Sequence, residues 1–440
     1  MGHLWAGLVS TRCQPIVVLL ASGLVSIRLL YQVHGFAVEM MAIPEKRPNV
    51  VVVMTTQWRA RATGYGGDGN AATPFIDSLA EESIDFFQAV TPHPMGVFAR
   101  AAFLTGIPCP ENGVVGYFDP LPENALTIAH RFQEGGYNTA FFGKWQLFDR
   151  DRNAPLVGVE HAKIEVPENR RGGFQFWEGF ESGFLLNHGY YHGTGIGPPT
   201  RIEGYQSDVL AERWSRYLNS ESIDNPVFAC ISMDAPHPPY GEEPPGINSS
   251  RPDSILLADE VPDDPVAREC SRRELAGYYG HIEATDRAIG RIFRETKHRF
   301  DGQNTIFVFT SVHGDMHGSF GLFRKGWPHE DSVRVPLLLS LPEGVGFARR
   351  DPMLISLLDL GPSLLGLCFP DVPFDFGSGD SGRNLSQSIL LKSEGPESQS
   401  ISMPSVVPFD KQCPYAWKAS RRIDVTEVIR DDGMRFRLDH

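Results

Sequence analysis

The sequence of 440 residues lacks the features that mark several protein classes. Its six cysteines form no CxxC pair and no zinc-type spacing, so it has neither a redox motif nor a disulfide framework. It has no basic run, and its formal net charge is −14, which argues against nucleic acid as a partner. It has no internal repeats. Hydrophobic residues make up 41% and charged residues 21%, a composition that is typical of a globular chain and excludes general disorder.

The sequence also lacks an apolar run that is long enough to cross a membrane. The run Pro15–Ile27 is flanked by arginines and is shorter than the roughly 20 residues of a transmembrane helix. Residues 1–41 therefore have two interpretations. They are a secretion signal or anchor without a convincing cleavage site, which predicts a secreted or periplasmic protein. Alternatively, translation starts at Met40 or Met41, which predicts a cytoplasmic one.

Strands and helices alternate along residues 47–370. The apolar runs Arg47–Met54, Pro226–Ser232 and Thr305–Ser311 predict buried strands of a parallel sheet. We therefore predict an α/β domain over residues 47–370, with a large, mostly parallel central sheet that helices cover on both faces. The other predicted elements are strands at Ile84–Val90, Tyr137–Phe142 and Val335–Leu341 and helices at Thr73–Ser83, from Ala101, at Leu126–Gly135, Asp208–Asn219, Arg272–Lys297 and Leu354–Leu367.

Two regions depart from this alternation. Residues 150–200 are rich in glycine, asparagine and aromatics without clear periodicity, which predicts long loops over the sheet edge. Residues 371–440 begin with a segment rich in glycine, serine and aspartate, Phe374–Ser400, which is typical of a linker. Tyr415–Leu438 alternates weakly around a turn at residues 431–433. We predict that it forms two or three strands of a small antiparallel C-terminal subdomain.

Polar side chains follow the ends of four predicted strands. In an open α/β sheet the ligand crevice lies beyond the carboxyl ends of the strands, so these side chains are expected to line a site. They are Thr56 and Gln57, Lys144 and Gln146, His237, and His313.

A series of short motifs extends over about residues 47 to 438. The motifs are Arg47–Thr55, Thr73–Ala80, Arg100–Gly106, Gly143–Trp145, Ala235–Pro239, His313–Met316, Gly321–Gly326 and Arg334–Pro336. Each is weakly specific alone, but in this order they resemble the sulfatase family of the alkaline-phosphatase-like superfamily. The resemblance implies the fold predicted above and an activity on sulfuric esters.

The family's nucleophile is missing from the position that the resemblance gives it. A Cys or Ser four positions before the helix arginine is oxidised to formylglycine, whose hydrate attacks sulfur. Here that position holds Gly96, which has no side chain to oxidise. The family's intervening Pro and Ser are Phe98 and Ala99, and only Arg100 is kept. The family's histidine after Lys-Trp, which assists the nucleophile, is Gln146.

The resemblance also implies a calcium or magnesium ion, whose ligands are largely absent. Thr56 and Gln57 replace a pair of aspartates after the first strand, and Val312 replaces a later one. Only His313 remains as a remnant of the set, and one neutral imidazole does not hold a hard cation. We therefore expect no bound metal cofactor.

The family's sulfate-binding cations are kept as Arg100, Lys144 and Lys325, with His237. Loss of a dication together with about three carboxylates leaves the pocket no less positive, so it can still attract an anion. The expected ligand is a sulfated or phosphorylated small molecule or glycan. The alternatives without ligand binding are that Arg100 braces its loop, that the lysines are solvated loop residues, and that His237 is a packed turn residue.

Three functional hypotheses remain open at this stage. The first is a catalytically impaired sulfatase-fold protein, a pseudoenzyme that retains an anion-binding pocket. The second is an active sulfuric or phosphoric ester hydrolase with a rearranged site. The third is a structural or assembly role without a ligand.

Overall fold

The computed structural model describes residues 29–33, 36–40, 47–220, 223–247, 251–300, 304–374, 376, 381–407 and 409–440. The signal-like run Pro15–Ile27 lies outside these residues. Within the described ranges, no helix combines the length and apolarity that crossing a membrane requires. Strands β1 (Leu29–Val33) and β2 (Phe36–Met40) pair antiparallel.

Helices and strands alternate through the main domain, and strands alone follow near the C terminus. The further strands are β3 Asn49–Thr55, β4 Ile84–Phe86, β5 Asn138–Lys144, β6 Phe176–Phe180, β7 Tyr190–Gly193, β8 Gly197–Arg201, β9 Val227–Ser232, β10 Thr305–Ser311, β11 Leu337–Ser340, β12 Arg349–Asp351, β13 Gln399–Met403, β14 Trp417–Arg421, β15 Val425–Arg430 and β16 Arg435–Asp439. The α-helices are α1 Pro74–Glu81, α2 Gly96–Thr105, α3 Ile128–Glu134, α4 Val159–Ala162, α5 Gln206–Asn219, α6 Pro265–Arg299, α7 Glu330–Val333, α8 Leu357–Cys368 and α9 Ser386–Leu391. Short 3-10 helices cover Glu168–Arg170, Pro252–Ser254 and Ser319–Gly321.

The central sheet places the ends of its middle strands side by side. Among the described residues, ten strands form it in the order β12-β4-β11-β10-β3-β9-β5-β6-β7-β8. The run from β10 to β6 is parallel throughout, and β11, β7 and β8 add antiparallel margins. The carboxyl ends of β3, β5, β9 and β10 therefore lie at one edge, as the sequence predicts.

The core lies on both faces of this sheet, because alternate residues of a strand point to opposite sides. In β3, Val50 and Val52 belong to one buried cluster, and Val51 and Val53 belong to the other. Side chains of α2, α3 and α8 fill the first cluster, and those of α1, α5 and α6 fill the second. The prediction of a mostly parallel sheet with helices on both faces is confirmed.

Two elements differ from the sequence-based expectation in ways that affect the site. Residues 150–200 contain β6, β7 and β8, which extend the sheet, rather than loops alone. Strand β8 is mostly exposed and contains Pro198 and Pro199, which is possible only at a sheet edge and hides the strand pattern. Helix α2 begins at Gly96 and not at Ala101, so Gly96 is a helical residue rather than part of a preceding loop.

The small antiparallel C-terminal sheet is also confirmed, although it has four described strands rather than two or three. Its additional strand is β13, which falls at the end of the predicted linker and pairs with β14. Arg421 at the end of β14 is fully buried and reaches back to the main domain. Its guanidinium donates to Glu330 Oε1 at 2.9 Å and to Gln88 Oε1 at 2.6 Å.

Helix α8 supports α2 at a close approach. A Cβ atom on Gly361 would lie 3.0 Å from the carbonyl oxygen of Phe103, so glycine lets the two helices touch. A capping box starts α8: Ser356 Oγ accepts from the Leu358 N–H at 3.2 Å, and Asp359 accepts from the Ser356 N–H at 3.1 Å.

We expect Ser356→Ala to lower the free energy of unfolding by about 1 kcal/mol, because it leaves an orphan N–H at the start of α8. Denaturant unfolding of the full chain measures this difference. The exposed Ser254 provides a matched control, since Ser254→Ala removes a hydroxyl at a short 3-10 helix on the surface. Equal stability of the Ser356 variant and the wild type would show that the cap does not support α8.

Candidate functional site

Arg100 lies at the centre of the candidate site. It lies in the first turns of α2, is 3% exposed, and points at the carboxyl ends of three strands. Its Nη2 donates to Thr56 Oγ1 at 2.8 Å, its Nη1 to Gln146 Oε1 at 3.1 Å, and its Nε to Ser232 Oγ at 3.4 Å. All these acceptors are neutral, and no carboxylate of the described residues forms an ion pair with Arg100. Burial lowers the pKa of Arg100 to about 10, which still leaves it charged at neutral pH.

The space beside Gly96 is occupied by the partners of α2. A Cβ atom at position 96 would lie 2.7 Å from Arg100 Nη1 and 2.7 Å from Gln146 Oε1. Such distances are too short for carbon, so any side chain here must displace the hydrogen-bonded Arg100–Gln146 pair. Phe98, two positions further along α2, and Val312, after β10, are both fully buried in the same hydrophobic cluster. At residue 96 the backbone of α2 therefore closely approaches the side chains of Arg100 and Gln146.

Lys144 forms the second cationic group, at the end of β5. Its ammonium donates to Asp234 Oδ1 at 2.7 Å, and both side chains are essentially without exposed surface. The ammonium also lies 4.1 Å from the centre of the Phe184 ring, a cation–π contact. Burial lowers the pKa of Lys144 to about 8, although the charge of Asp234 acts in the opposite direction.

Lys325 and His237 form the third group. The Lys325 ammonium donates to Gln57 Oε1 and lies 3.0 Å from His237 Nε2. The His237 ring stacks on Phe184 with 4.3 Å between ring centres, so Phe184 separates the Lys325–His237 pair from Lys144. Burial lowers the pKa of Lys325 to about 7 despite the opposing charge of Asp315. Burial, followed by the charge of Lys325, also lowers the pKa of His237 well below its usual value, so this imidazole is neutral.

Gln57 connects Lys325 to Asp315. Its amide nitrogen donates to Asp315 Oδ2, while its amide oxygen accepts from the Lys325 ammonium. Tyr240 also donates to Asp315 Oδ2, at 2.9 Å. Burial alone would raise the pKa of Asp315, but His317, Arg324 and Lys325 outweigh it and lower this pKa to about 2. The carboxylate is thus charged and balances the Lys325 ammonium through the amide.

The positions that the family resemblance assigns to a divalent cation do not fit one. Thr56 Oγ1 accepts from the Arg100 guanidinium, and Gln57 Oε1 accepts from the Lys325 ammonium. A cation placed against these oxygens would compete with two positive side chains, whereas hard cations need anionic oxygens. The side chain of Val312 offers no ligand atom. Among the described residues, no group of three or more His, Cys, Asp or Glu side chains is arranged to hold a metal.

Two buried acceptors complete the site. Asp234 Oδ2 and His313 Nε2 have no hydrogen-bond partner among the described residues. The Nδ1 of His313 lies 2.8 Å from the Gly314 carbonyl oxygen, which places the ring hydrogen on Nδ1 and a lone pair on Nε2. Both residues are electrostatically close to the cations. Burial lowers the pKa values of Arg100 and Lys325, and the charge of Asp234 opposes both shifts. Burial is also the largest cause that lowers the pKa of His313, and the charges of Lys325 and Arg100 lower it further.

Several members of this network give no signal in the sequence. Phe184, which contacts both Lys144 and His237, comes from the region without periodicity. Arg150 and Glu181 form a fully buried ion pair of 3.3 Å, and burial raises the pKa of Glu181 to about 7. This pair borders the site, because the Gln146 N–H donates to the Glu181 carbonyl oxygen at 2.9 Å. No spacing rule joins these residues before the fold is known.

The comparisons with known proteins agree on one family. A family model described as Sulfatase matches residues 48–368. An ulvan-active sulfatase from Formosa agariphila is 34% identical over 413 residues, which are 92% of this chain and 76% of that protein. An arylsulfatase from Clostridium perfringens is 27% identical over 376 residues, which are 74% of this chain and 76% of that protein.

Solved structures share the fold. A sulfatase-like protein from Bacteroides fragilis has a TM-score of 0.79 at 24% identity, with 89% of both chains covered. The phosphonate monoester hydrolase of Agrobacterium radiobacter has a TM-score of 0.69 at 20% identity, again with 89% of both chains covered. At these identities the likeness concerns architecture and not reaction.

Proposed function

Because this chain belongs to the sulfatase family, we propose that it binds an oxyanion at Arg100, Lys144, His237 and Lys325 without the family's formylglycine-dependent hydrolysis. One observation carries the proposal: the Arg100 guanidinium is buried and charged, yet its hydrogen-bond partners among the described residues are all neutral oxygens. Lys144 has an ion-paired carboxylate, and Lys325 is linked to one through Gln57, whereas Arg100 forms an ion pair with none of the described carboxylates. An anion is the natural partner for such a group.

The same residues argue against the family's reaction. Gly96 offers no atom that could be oxidised or attack sulfur, and its neighbouring space is filled by Arg100 and Gln146. Gln146 has no ionisable proton to exchange with a nucleophile. The positions of the metal-binding aspartates hold Thr56, Gln57 and Val312. Each such group typically contributes orders of magnitude to a rate, and here they are missing together.

The ligand that we propose is a sulfated or phosphorylated small molecule or glycan. The similarity to an ulvan-active sulfatase supports a sulfated glycan among these. Retained cations with a missing nucleophile suit recognition of such a group better than its cleavage.

The test combines turnover, metal content and anion binding on one preparation of the full chain. With an aryl sulfate and an aryl phosphate we expect no turnover above background, together with a rise in melting temperature on adding sulfate. Bound calcium and magnesium are measured in the same sample, and the sulfate effect is expected to persist in EDTA. Turnover that is abolished by Lys144→Ala or Lys325→Ala would overturn the proposal.

A hydrolase with a rearranged site is the second candidate, and one observation favours it. Because burial lowers the pKa of Lys325 to about 7, part of the population carries a neutral amine beside His237 at neutral pH. A neutral amine can act as a base or nucleophile. The turnover assay above distinguishes this candidate from the first.

Sulfate affinity is expected to fall by roughly tenfold or more between pH 6 and pH 9, because it requires charged lysines. Burial lowers the pKa of Lys325 to about 7 and that of Lys144 to about 8, so both are protonated below this window and neutral above it. A bound anion favours the protonated forms, and sulfate itself does not titrate here. Calorimetric titration at several pH values measures the trend.

The stability of the ligand-free protein depends on pH in the opposite direction to the sulfate affinity. Both lysine pKa values are lower in the folded state than in the unfolded chain, so the unfolded chain binds more protons between pH 7 and about 10. These two groups therefore make the ligand-free fold more stable as pH rises through that window. Lys325→Arg serves as the control for binding, since arginine stays charged and should flatten the loss of affinity at high pH. A sulfate affinity that is constant from pH 6 to pH 9 would contradict the assignment of these lysines.

A further inference from the structure

The two buried acceptors next to the cations restrict which anion suits the site. Asp234 Oδ2 and His313 Nε2 carry lone pairs with no donor among the described residues, and both side chains are fully buried. The other oxygen of Asp234 accepts from Lys144, and the other nitrogen of His313 faces the Gly314 carbonyl. Burying an acceptor without a donor is costly, so a ligand that donates to them gains affinity.

Oxyanions differ in whether they can donate. Sulfate and sulfate monoesters carry only acceptor oxygens at neutral pH. They therefore cannot donate a hydrogen bond to Asp234 Oδ2 or His313 Nε2. Dihydrogen phosphate carries two hydroxyl groups, and the monoanion of a phosphate monoester carries one, beside the charged oxygens. The charged oxygens suit Arg100 and the lysines, and each hydroxyl can donate to one of the two acceptors.

We propose that the site prefers a hydroxyl-bearing oxyanion, such as dihydrogen phosphate or a phosphate monoester monoanion, over sulfate, with Asp234 and His313 accepting its hydrogens. This inference rests on the proposed anion site and adds the chemical class of the anion. No bond is made or broken in it, because the hydroxyls donate hydrogen bonds and keep their protons.

The first experiment compares three anions on the full-chain protein by calorimetry at pH 6 in EDTA. They are inorganic phosphate, sulfate and monofluorophosphate, which at pH 6 is a dianion without a hydroxyl group. We expect phosphate to bind at least roughly tenfold more tightly than sulfate, and monofluorophosphate to behave like sulfate. Sulfate binding as tightly as phosphate, or monofluorophosphate matching phosphate, would overturn the inference. If none of the three binds, the proposed anion site itself is wrong.

The second experiment changes the acceptor. In Asp234→Asn an amide that can donate replaces the carboxylate, so we expect the ratio of phosphate to sulfate affinity to fall to about one. Sulfate affinity should not decrease, because a negative charge is removed beside Lys144. Asp253→Asn makes the same change at an exposed aspartate and should leave the ratio unchanged. An unchanged ratio in a folded Asp234→Asn variant contradicts the role of Asp234. If that variant does not fold, the monofluorophosphate comparison decides the question alone.

Discussion

Replacing Arg100 with methionine is expected to weaken sulfate binding by roughly a hundredfold or more. Hydrogen bonds to a charged group contribute about 1.5–3 kcal/mol each, and a fork of donors such as guanidinium can make two of them to one oxyanion. Within the part of the chain that the structure describes, this guanidinium donates only to Thr56, Ser232 and Gln146. Its charge is therefore the one that the ligand balances.

The same variant is expected to fold at least as stably as the wild type when no anion is present. A buried cation without a counter-charge opposes folding, and methionine fills a similar volume without a charge. Binding and stability should thus move in opposite directions, which a residue that only braces its loop would not produce. Calorimetry with sulfate and thermal unfolding without it measure the two effects. The control is Arg437→Met, at an exposed arginine of β16, which should change neither.

The result would also decide between the anion site and the alternative role for Arg100. If Arg100→Met loses stability and retains sulfate affinity, Arg100 serves to hold α2 against the strand ends. Its role would then be structural, through the hydrogen bonds to Thr56 and Gln146, and the anion would have to bind elsewhere. A joint loss of both would indicate that the start of α2 at Gly96 is not held in place without the guanidinium.

The fold is predictable from the sequence where burial dictates composition. Strands β3, β9 and β10 are buried on both faces, so they appear as continuous apolar runs. Strand β8 is exposed at the sheet edge, where prolines are tolerated and no apolar alternation is required. Its existence depends on pairing with β7 and not on its own residues, so local patterns cannot reveal it.

The site is predictable to a smaller extent. Strand ends and the motifs of the family resemblance point to Arg100, Lys144 and Lys325 as the candidate cations, because each follows a predicted strand or lies in a motif. The groups that set their charge balance are not identifiable in this way: Gln57 and Asp315 are 258 positions apart, and Lys325 lies 268 positions from Gln57. Such partners follow only from the packing of β3 beside β10. The sequence shows which charges are present, whereas the fold determines which of them remain uncompensated.

Gly96→Cys is expected to give no sulfatase turnover above the wild-type background, even when a formylglycine-generating enzyme is co-expressed. The thiol would restore the atom that the family oxidises, but its Cβ would lie 2.7 Å from Arg100 Nη1 and Gln146 Oε1. Both side chains would have to move before the new group could face a substrate. Under the proposed assignment of Thr56, Gln57 and Val312 to the metal positions, the variant would still lack the metal-binding carboxylates and the several orders of magnitude in rate that they support.

Mass spectrometry of the peptide around position 96 reports whether the thiol is converted, so that lack of turnover can be assigned to the correct step. Conversion without turnover would locate the deeper defect in the metal positions. Gly96→Ala is the matched control, because it adds the same Cβ without sulfur and should disturb sulfate binding to the same degree. Turnover in the single Gly96→Cys variant would contradict this interpretation, since Gly96 would then be the sole defect. The expected inactivity also follows because Arg100 and Gln146 fill the space beside position 96, where the new nucleophile would have to work.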